Sequence, residues 1–276
     1  MTLVQIPDPE NVVGPVHDFH RHVERVSVKD MASYRIASAC ILPSWKTLEA
    51  PSFSRPGFND FTNPSRYSEH LKQLGTDFNG WRGKLYTFLP VDFTRGAEAL
   101  EEAIRLHHPA GIKLHPLQRF PLDKAILDPY FKVIADNGLL VHVHTDWPSS
   151  TEYGKFKPVL GKTFGRLASW YLGTTFIMGH AGNNDSYLNI WKVVKRCPNC
   201  VVETSMAPTP SELDRVIARL GAGRIVFGSN FPYCNTGVEI MRIAMLRRAS
   251  AEQKRQILSG NAAALLSNRP SMVIGE

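Results

Sequence analysis

Cysteine is scarce in this sequence, with four residues in a chain of 276. Four cysteines are too few for the disulfide scaffold of a small secreted domain. No stretch of about 20 apolar residues could cross a bilayer, and residues 1–14 contain neither the basic segment nor the apolar segment of a signal peptide. These absences predict a cytoplasmic protein with reduced thiols and no membrane segment.

Clusters that interleave basic and aromatic residues are also absent. The chain has 32 Lys and Arg residues against 25 Asp and Glu, a formal net charge of +7, and these charges are spread along the sequence. Basic residues are densest on one predicted helix surface, which contains Arg247, Arg248, Lys254 and Arg255. A positive field can attract anionic ligands, but without a clustered aromatic and basic motif we predict no nucleic-acid partner.

What the sequence does contain is a regular alternation of short apolar strands and amphipathic helices. Hydrophobic residues make up 43% of the chain, enough for a large core. Eight predicted strands with helical crossovers indicate a parallel sheet, and eight such units are typical of a closed (β/α)8 barrel of about 250 residues. The predicted fold class is therefore α/β, a single-domain TIM barrel over residues 1–276, with an open doubly wound sheet as the alternative. The predicted strands are the opening strand that ends near His22 and residues 36–42, 85–89, 111–114, 139–144, 174–178, 201–204 and 225–228.

Helices are predicted between and after these strands, together with one long loop. Residues 43–64 are rich in Pro, Ser, Phe and Asn, and a loop of this length inside a compact domain is usually functional or disordered. The four aromatic residues of the loop favour a packed, extended flap over a free linker. The predicted helices are residues 28–34, 65–74, 97–107, 123–137, 158–172, 187–196, 211–220, 238–248 and 251–266.

The opening strand leads into two histidines at alternate positions, His20 and His22. Residues two apart on a strand point to the same face, so both imidazoles are expected to project together. Two neutral imidazoles form half of a site for a divalent metal. A chance pair in a chain with ten histidines is the alternative, and the ends of the other strands decide between the two.

Polar side chains also follow several later strands. The carboxyl ends of barrel strands meet on one side of the barrel, so these side chains are expected to converge with the two histidines. Burying so many polar groups without partners would cost about 1–3 kcal/mol for each group, and a shared metal ion is the simpler explanation. The residues are Lys113 and His115, His142 and His144, His180, Glu203 and Ser205, and Asn230, after strands four to eight respectively.

In this order the motifs resemble those of the amidohydrolase superfamily, specifically its amidohydrolase-2 branch, which includes decarboxylases similar to aminocarboxymuconate semialdehyde decarboxylase. The resemblance implies a (β/α)8 barrel with a divalent metal, usually zinc, with manganese or iron as alternatives. It implies His20, His22 and His144 as metal ligands and His180 as the catalytic residue that polarises the attacking water or the substrate. The matching segments are residues 18–22, 111–116, 143–145, 178–182, 227–232 and 260–263.

One position departs from the family pattern. Where the family carries a metal-binding, proton-accepting Asp in a Gly-Ser-Asp-x-Pro motif, this chain has Asn230. An amide offers a carbonyl oxygen but no titratable base near neutral pH, although three imidazoles still suffice for zinc with an open fourth position. The chain is therefore a natural member whose base lies elsewhere, for which Asp146 is the candidate, or an inactivated variant, or a barrel that has lost catalysis.

Further polar residues near the strand ends are expected to bind substrate. Lys113 is expected to remain a plain cation, although some superfamily members carry a carboxylated lysine that bridges two metals at this strand. The pair Cys197 and Cys200 has the spacing of half a zinc site but no second pair, so we interpret it as a turn. The expected substrate-binding residues are Lys113, His115, Arg119, His142, Trp147 and Glu203, with a structural role as an equal alternative for His115 and His142.

The expected function is hydrolysis of an amide, lactone or related carbonyl bond in a small anionic or cyclic substrate by metal-activated water. A non-oxidative decarboxylase with the same metal ligands is the alternative among enzymes. A ligand-binding barrel without turnover, motivated by Asn230, is the alternative from another class. The expected partners are the small-molecule substrate and a second copy of the chain in a homodimer.

Overall fold

A computed structural model describes residues 14–22, 27–43, 72, 74–115, 121–145, 161–182, 190–207 and 209–273. The strands are β1 Val16–Arg21, β2 Ile36–Ile41, β3 Lys84–Pro90, β4 Gly111–Leu114, β5 Leu140–His144, β6 Phe176–Gly179, β7 Cys200–Glu203, β8 Ile225–Val226 and β9 Met272–Val273. The helices are α1 Ser27–Ser33, α2 Ala97–His107, α3 Lys124–Asp136, α4 Gly161–Trp170, α5 Ile190–Arg196, α6 Pro210–Leu220, α7 Thr236–Ala244, α8 Ala251–Arg255 and α9 Asn261–Leu266. A π-helical turn, Gln256–Gly260, joins α8 to α9.

The first eight strands lie side by side in chain order, each parallel to the next, and β9 pairs antiparallel with β3. The two ends of this order meet through backbone hydrogen bonds. The Phe19 N–H donates to the Phe227 carbonyl at 2.8 Å, and the Asn230 N–H donates to the His20 carbonyl at 2.7 Å. The fold is therefore the predicted TIM barrel, and the alternative of an open doubly wound sheet is wrong because β1 would then not meet β8.

Most element boundaries agree with the predicted ones to within a few residues. Helix α2 and strand β4 have the predicted ranges. Helix α6 begins after Thr209, with Pro210 in its first turn, and ends at Gly221, whose φ is 77°. Proline suits that first turn because its missing N–H would have no helical partner there. Strand β8 is shorter than predicted, and residues 43–64 and 65–74 lie almost wholly outside the described residues.

The core has two apolar layers, and the polar residues of the candidate site lie next to the inner layer. The outer layer lies between strands and helices and includes Val141, Val143, Phe176 and Met178. Alternate residues of the same strands point into the barrel, where a separate buried cluster fills the interior. It includes Phe19, Cys40, Leu42, Tyr86, Phe88, Leu140, Ile177, Val201 and Val226. The polar residues of the candidate site follow these apolar residues along the strands. They therefore lie together at the carboxyl ends of the strands, next to the inner apolar cluster.

The structure describes all four cysteines and the hydropathy of its helices. The four cysteines are free thiols, and the Cys200 N–H donates to the Cys197 carbonyl at 3.0 Å, which makes this segment a tight turn before β7. No helix in the described part of the chain combines the length and hydropathy of a membrane-spanning segment.

Candidate active site

A buried ion pair ties the end of β1 to the segment after β8. Asp18 accepts the Ser229 backbone N–H at 2.8 Å and the Ser229 hydroxyl at 2.6 Å. Arg21, fully buried, donates to Asp18 at 3.1 Å and to Asp30 at 2.5 Å. These contacts hold His20 and His22, at the end of β1, beside Asn230.

His20 and His22 each have one ring nitrogen fixed by an acceptor. His20 Nδ1 lies 2.7 Å from the Glu203 carboxylate, and His22 Nδ1 lies 2.8 Å from the Leu42 carbonyl. Because an ionised carboxylate and a carbonyl only accept hydrogen bonds, both histidines carry their proton on Nδ1. Both Nε2 atoms therefore present a lone pair, and the two atoms are 3.2 Å apart. The two imidazoles share a face, as the alternating spacing predicts.

Asn230 adds a third acceptor to this pair. Its Oδ1 lies 3.2 Å from His22 Nε2, while its Nδ2 donates to the sulfur of Met206 at 3.1 Å. Among the described residues, three acceptor atoms thus converge, an arrangement that costs free energy when buried. A divalent cation removes this cost, because neutral imidazoles and an amide oxygen are established metal ligands. The residues present therefore fit a divalent metal.

The charge state of the pair also suits a metal. Burial lowers the pKa of His20 well below its usual value and that of His22 to about 3, and in both cases the positive charge of Lys113 adds to the effect. Imidazole must be neutral to donate its lone pair to a metal. Both histidines meet this condition throughout the neutral pH range.

His180 and His144 lie on the other side of His20. His180 Nε2 is 3.0 Å from His144 Nδ1, and His180 Nδ1 is 3.0 Å from the Ser205 hydroxyl oxygen. The His180 ring lies 4.8 Å from that of His20, and the His144 ring lies 4.1 Å from that of His115. The structure therefore brings five histidines into one row. In this row His144 is within hydrogen-bonding distance of His180, and its ring packs against that of His115. The row consists of His22, His20, His180, His144 and His115.

Lys113 and His142 lie on the inner face of β4 and β5, both buried. The Lys113 amine is 2.9 Å from His142 Nδ1, and His142 Nε2 is 3.7 Å from the nearer oxygen of Glu203. Burial lowers the pKa of Lys113 to about 7 against the opposing effect of the Glu203 charge. For Glu203, burial favours the protonated acid, but contacts with His142 and His180 outweigh it and hold the pKa below its usual value.

His20, His142 and Glu203 form a second group whose ligand atoms all lie within 4.8 Å of one another. This group is less suited to a metal than the Nε2 pair of His20 and His22. Glu203 Oε2 already accepts from His20, from the Ser205 hydroxyl at 2.9 Å and from the His180 N–H at 3.1 Å. Its lone pairs are therefore used, and we interpret the carboxylate as a support for His20.

Other predicted residues lie beyond the described part of the chain, and one contact was missed. Arg119, Trp147 and Asp146 are outside the described residues. Tyr233, which the sequence reasoning did not single out, is 41% exposed and packs its ring 5.2 Å from that of His22, edge to face. Its position directly after the Phe231-Pro232 pair was the only signal, because a proline turn after β8 returns the chain toward the strand ends.

Gly228 leaves the room that Glu203 and His20 occupy. A Cβ at this position would lie 2.1 Å from Glu203 Oε1 and 2.8 Å from the Cβ of His20. We therefore expect Gly228→Ala to lower the free energy of unfolding by about 1–3 kcal/mol, as overpacking does, measured by equilibrium urea unfolding. The matched control is Gly223→Ala, where the nearest atom to a new Cβ is Gln256 Nε2 at 3.6 Å. Equal unfolding curves for the two variants would contradict this packing.

The family model described as Amidohydrolase matches residues 75–267, well over half of the chain. The chain belongs to the amidohydrolase family. The match confirms the resemblance and identifies this amidohydrolase as an enzyme. The matched segment includes His144, His180 and Asn230 and begins after His20 and His22.

Solved structures show the same barrel. A 2,6-dihydroxybenzoate decarboxylase bound to 2,6-dihydroxybenzoate has a TM-score of 0.65 and 14% identity, covering 92% of this chain and 99% of that one. A candidate 2-pyrone-4,6-dicarboxylic acid hydrolase from Pseudomonas putida has a TM-score of 0.64 and 16% identity, covering 92% and 97%. A dihydroxybenzoic acid decarboxylase from Polaromonas sp. JS666, with manganese and the inhibitor 2-nitroresorcinol, has a TM-score of 0.66 and 14% identity, covering 94% and 98%. No curated protein matches this sequence. The fold is compatible with hydrolysis and with decarboxylation.

Proposed function

We propose that this amidohydrolase hydrolyses an amide, lactone or related carbonyl bond of a small anionic or cyclic substrate with the help of one divalent cation. The observation that carries the proposal is the convergence of acceptors, with Nε2 of His22 3.2 Å from Nε2 of His20 and 3.2 Å from Oδ1 of Asn230. A cation among these atoms turns an unfavourable arrangement into a favourable one. We propose His144, at the end of β5, as the third imidazole ligand.

Zinc is the metal that we propose, because imidazole-rich sites suit it. Iron is an alternative, and so is manganese, which the related decarboxylase from Polaromonas sp. JS666 binds. When bound, the cation would supply the polarisation of a substrate carbonyl and a lowered pKa of water.

The charges around the site favour an anionic substrate. His20, His22 and Asn230 are neutral donors, so they leave the charge of a divalent cation uncompensated. The buried carboxylate beside them, Glu203, is already balanced by Lys113 through the intervening His142. A substrate carboxylate or enolate oxygen would complete the balance, since opposite charges attract strongly where water is excluded.

His180 is the proposed catalytic imidazole. The Ser205 hydroxyl lies 3.0 Å from its Nδ1 and orients the ring, while its Nε2 is directed toward His144. Because the Ser205 hydroxyl donates to Glu203, it accepts from the Nδ1–H of His180, and the Nε2 atom of the neutral ring is an acceptor. We propose that Nε2 accepts a hydrogen bond from the attacking water. Tyr233, partly exposed against His22, is placed to contact the rest of the substrate.

Decarboxylation is the second candidate, and Asn230 favours it. Hydrolysis requires a group that accepts a proton from water, and an amide cannot do so near neutral pH. In decarboxylation the bond between the substrate carbon and its carboxylate breaks, carbon dioxide leaves, and a proton from solvent takes its place on the carbon. This reaction needs charge stabilisation at a carboxylate-bearing substrate but no general base that accepts a proton from water. Two related barrels are described as decarboxylases of dihydroxybenzoates.

Reconstitution of the metal-free chain separates these functions. The chain would be loaded in turn with zinc, manganese and iron(II), then tested on 2-pyrone-4,6-dicarboxylate, on simple lactones and amides, and on 2,6-dihydroxybenzoate. We expect metal-dependent ring opening or amide cleavage, measured by loss of substrate absorbance, and the second candidate instead predicts release of carbon dioxide. Tight metal binding without turnover of any substrate would contradict both and support a ligand-binding barrel.

A further inference from the structure

Glu203 lies at the end of β7, fully buried beneath the row of histidines. The close polar contacts that the described residues make with its carboxylate all come from donors. Oε2 accepts the Nδ1–H of His20 at 2.7 Å, the Ser205 hydroxyl at 2.9 Å and the His180 backbone N–H at 3.1 Å. Oε1 accepts the backbone N–H of Ser205. Both oxygens are therefore acceptors only.

The neighbouring side chains reinforce this arrangement. The Lys113 amine donates to His142 Nδ1 at 2.9 Å, so the proton of the neutral His142 ring is on Nε2. That Nε2–H is directed at Glu203 Oε2 from 3.7 Å and has no hydrogen-bond partner among the described residues. The Nε2–H dipole of His142 is therefore a further positive group that faces the carboxylate. Gly228, which has no side chain, leaves the space in which Glu203 Oε1 lies.

We propose that Glu203 is a positioning residue that fixes the tautomer of His20. By accepting the proton on His20 Nδ1, it leaves the lone pair of Nε2 directed toward His22 and Asn230. A carboxylate that holds a metal-binding histidine in this way raises the basicity of the imidazole and fixes its ring. The inference rests on the proposed metal-dependent function, and it gives Glu203 a supporting role in place of contact with substrate.

An amide cannot replace this carboxylate without changing His20. In Glu203→Gln the new NH2 group must face one set of donors. At the Oε1 position it would oppose the backbone N–H of Ser205, which cannot change its role. At the Oε2 position it would oppose the backbone N–H of His180, but at 3.1 Å this contact is longer than that of the Ser205 N–H with Oε1. The other two donors at Oε2 can adapt, because the Ser205 hydroxyl can rotate and His20 can move its proton to Nε2. The second arrangement is the less costly one, and it removes the lone pair from the metal-facing nitrogen.

NMR of the metal-free chain tests the inference directly. With isotope-labelled histidine, heteronuclear spectra distinguish Nδ1–H from Nε2–H tautomers, and His20 is assigned by the loss of its signals in His20→Gln. We expect His20 to carry its proton on Nδ1 in the unmodified chain and on Nε2 in Glu203→Gln. A proton on Nε2 of His20 in the unmodified chain would overturn the inference, even if the variant fails to fold.

Zinc affinity, measured by competition with a chromophoric chelator, gives the second readout. Removal of such a supporting partner typically costs about 10–100-fold in metal affinity, and we expect a loss of that size in Glu203→Gln. The control is Glu239→Gln, the same change at a buried glutamate of α7 that pairs with Arg242. One oxygen of Glu239 has no hydrogen-bond partner in the part of the chain that the structure describes. Equal zinc affinity in both folded variants would overturn the inference. A chain with the expected His20 tautomer that binds no metal would instead refute the proposed function alone.

Discussion

Asn230→Asp is expected to raise the rate of hydrolysis of the zinc-loaded chain by about 10²- to 10⁴-fold, the usual contribution of a positioned general base. Asn230 Oδ1 lies 3.2 Å from His22 Nε2, so a carboxylate at this position would stand beside the cation and its water. The amide provides an oxygen at the same place but cannot accept a proton. The measurement is kcat on the lactone or amide substrate that the unmodified chain turns over.

The matched control for this change is Asn235→Asp. Asn235 caps helix α7 by accepting the N–H of Val238 at 3.2 Å, and an aspartate there is equally able to cap. Its rate should equal that of the unmodified chain. If Asn230→Asp leaves kcat unchanged as well, the proton acceptor lies elsewhere, and the assignment of position 230 as the missing base is wrong.

His22→Gln is expected to abolish metal-dependent activity and to lower zinc affinity by at least about 100-fold, the upper range for loss of a mere supporting partner. The Nε2 atom of His22 lies 3.2 Å from Nε2 of His20 and 3.2 Å from Oδ1 of Asn230, and the Leu42 carbonyl fixes the ring. Zinc content after gel filtration, measured by elemental analysis, and kcat with added zinc are the two readouts.

A histidine near the start of β1 provides the control. His17 lies 2.6 Å from the Ser38 hydroxyl, toward the start of the strand and away from the acceptor cluster. His17→Gln should retain both zinc and activity. Retention of zinc and activity in His22→Gln would show that the metal is held without the first-strand pair.

Much of the fold could be predicted because its signals are local. Apolar runs such as residues 176–178 predict buried strands, and the helical spacing of residues 97–107 predicts a helix buried on one face. The regular alternation of such segments implies parallel strands. The boundary of β8 was less predictable. Its last residues leave the strand to place Asn230, whose φ is 52°, beside His20, and that conformation depends on contacts with β1 that are distant in sequence.

The sequence predicts which residues form the candidate site better than it predicts which of their atoms are in contact. The alternating spacing of His20 and His22 predicts a shared face because strand geometry is local. Which atoms meet across the barrel is set by packing, so sequence did not indicate that Glu203 contacts His20 or that Tyr233 packs on His22. The roles of Arg119 and Trp147, the cytoplasmic location and the homodimer stay predictions.

The central claim is that one divalent cation binds at the Nε2 atoms of His20 and His22. A crystal structure of the zinc-loaded chain, with anomalous data collected on both sides of the zinc absorption edge, tests it most directly. The account predicts one anomalous peak per chain in contact with both Nε2 atoms. No peak at this place, or a peak held by His142 and Glu203 instead, would contradict it.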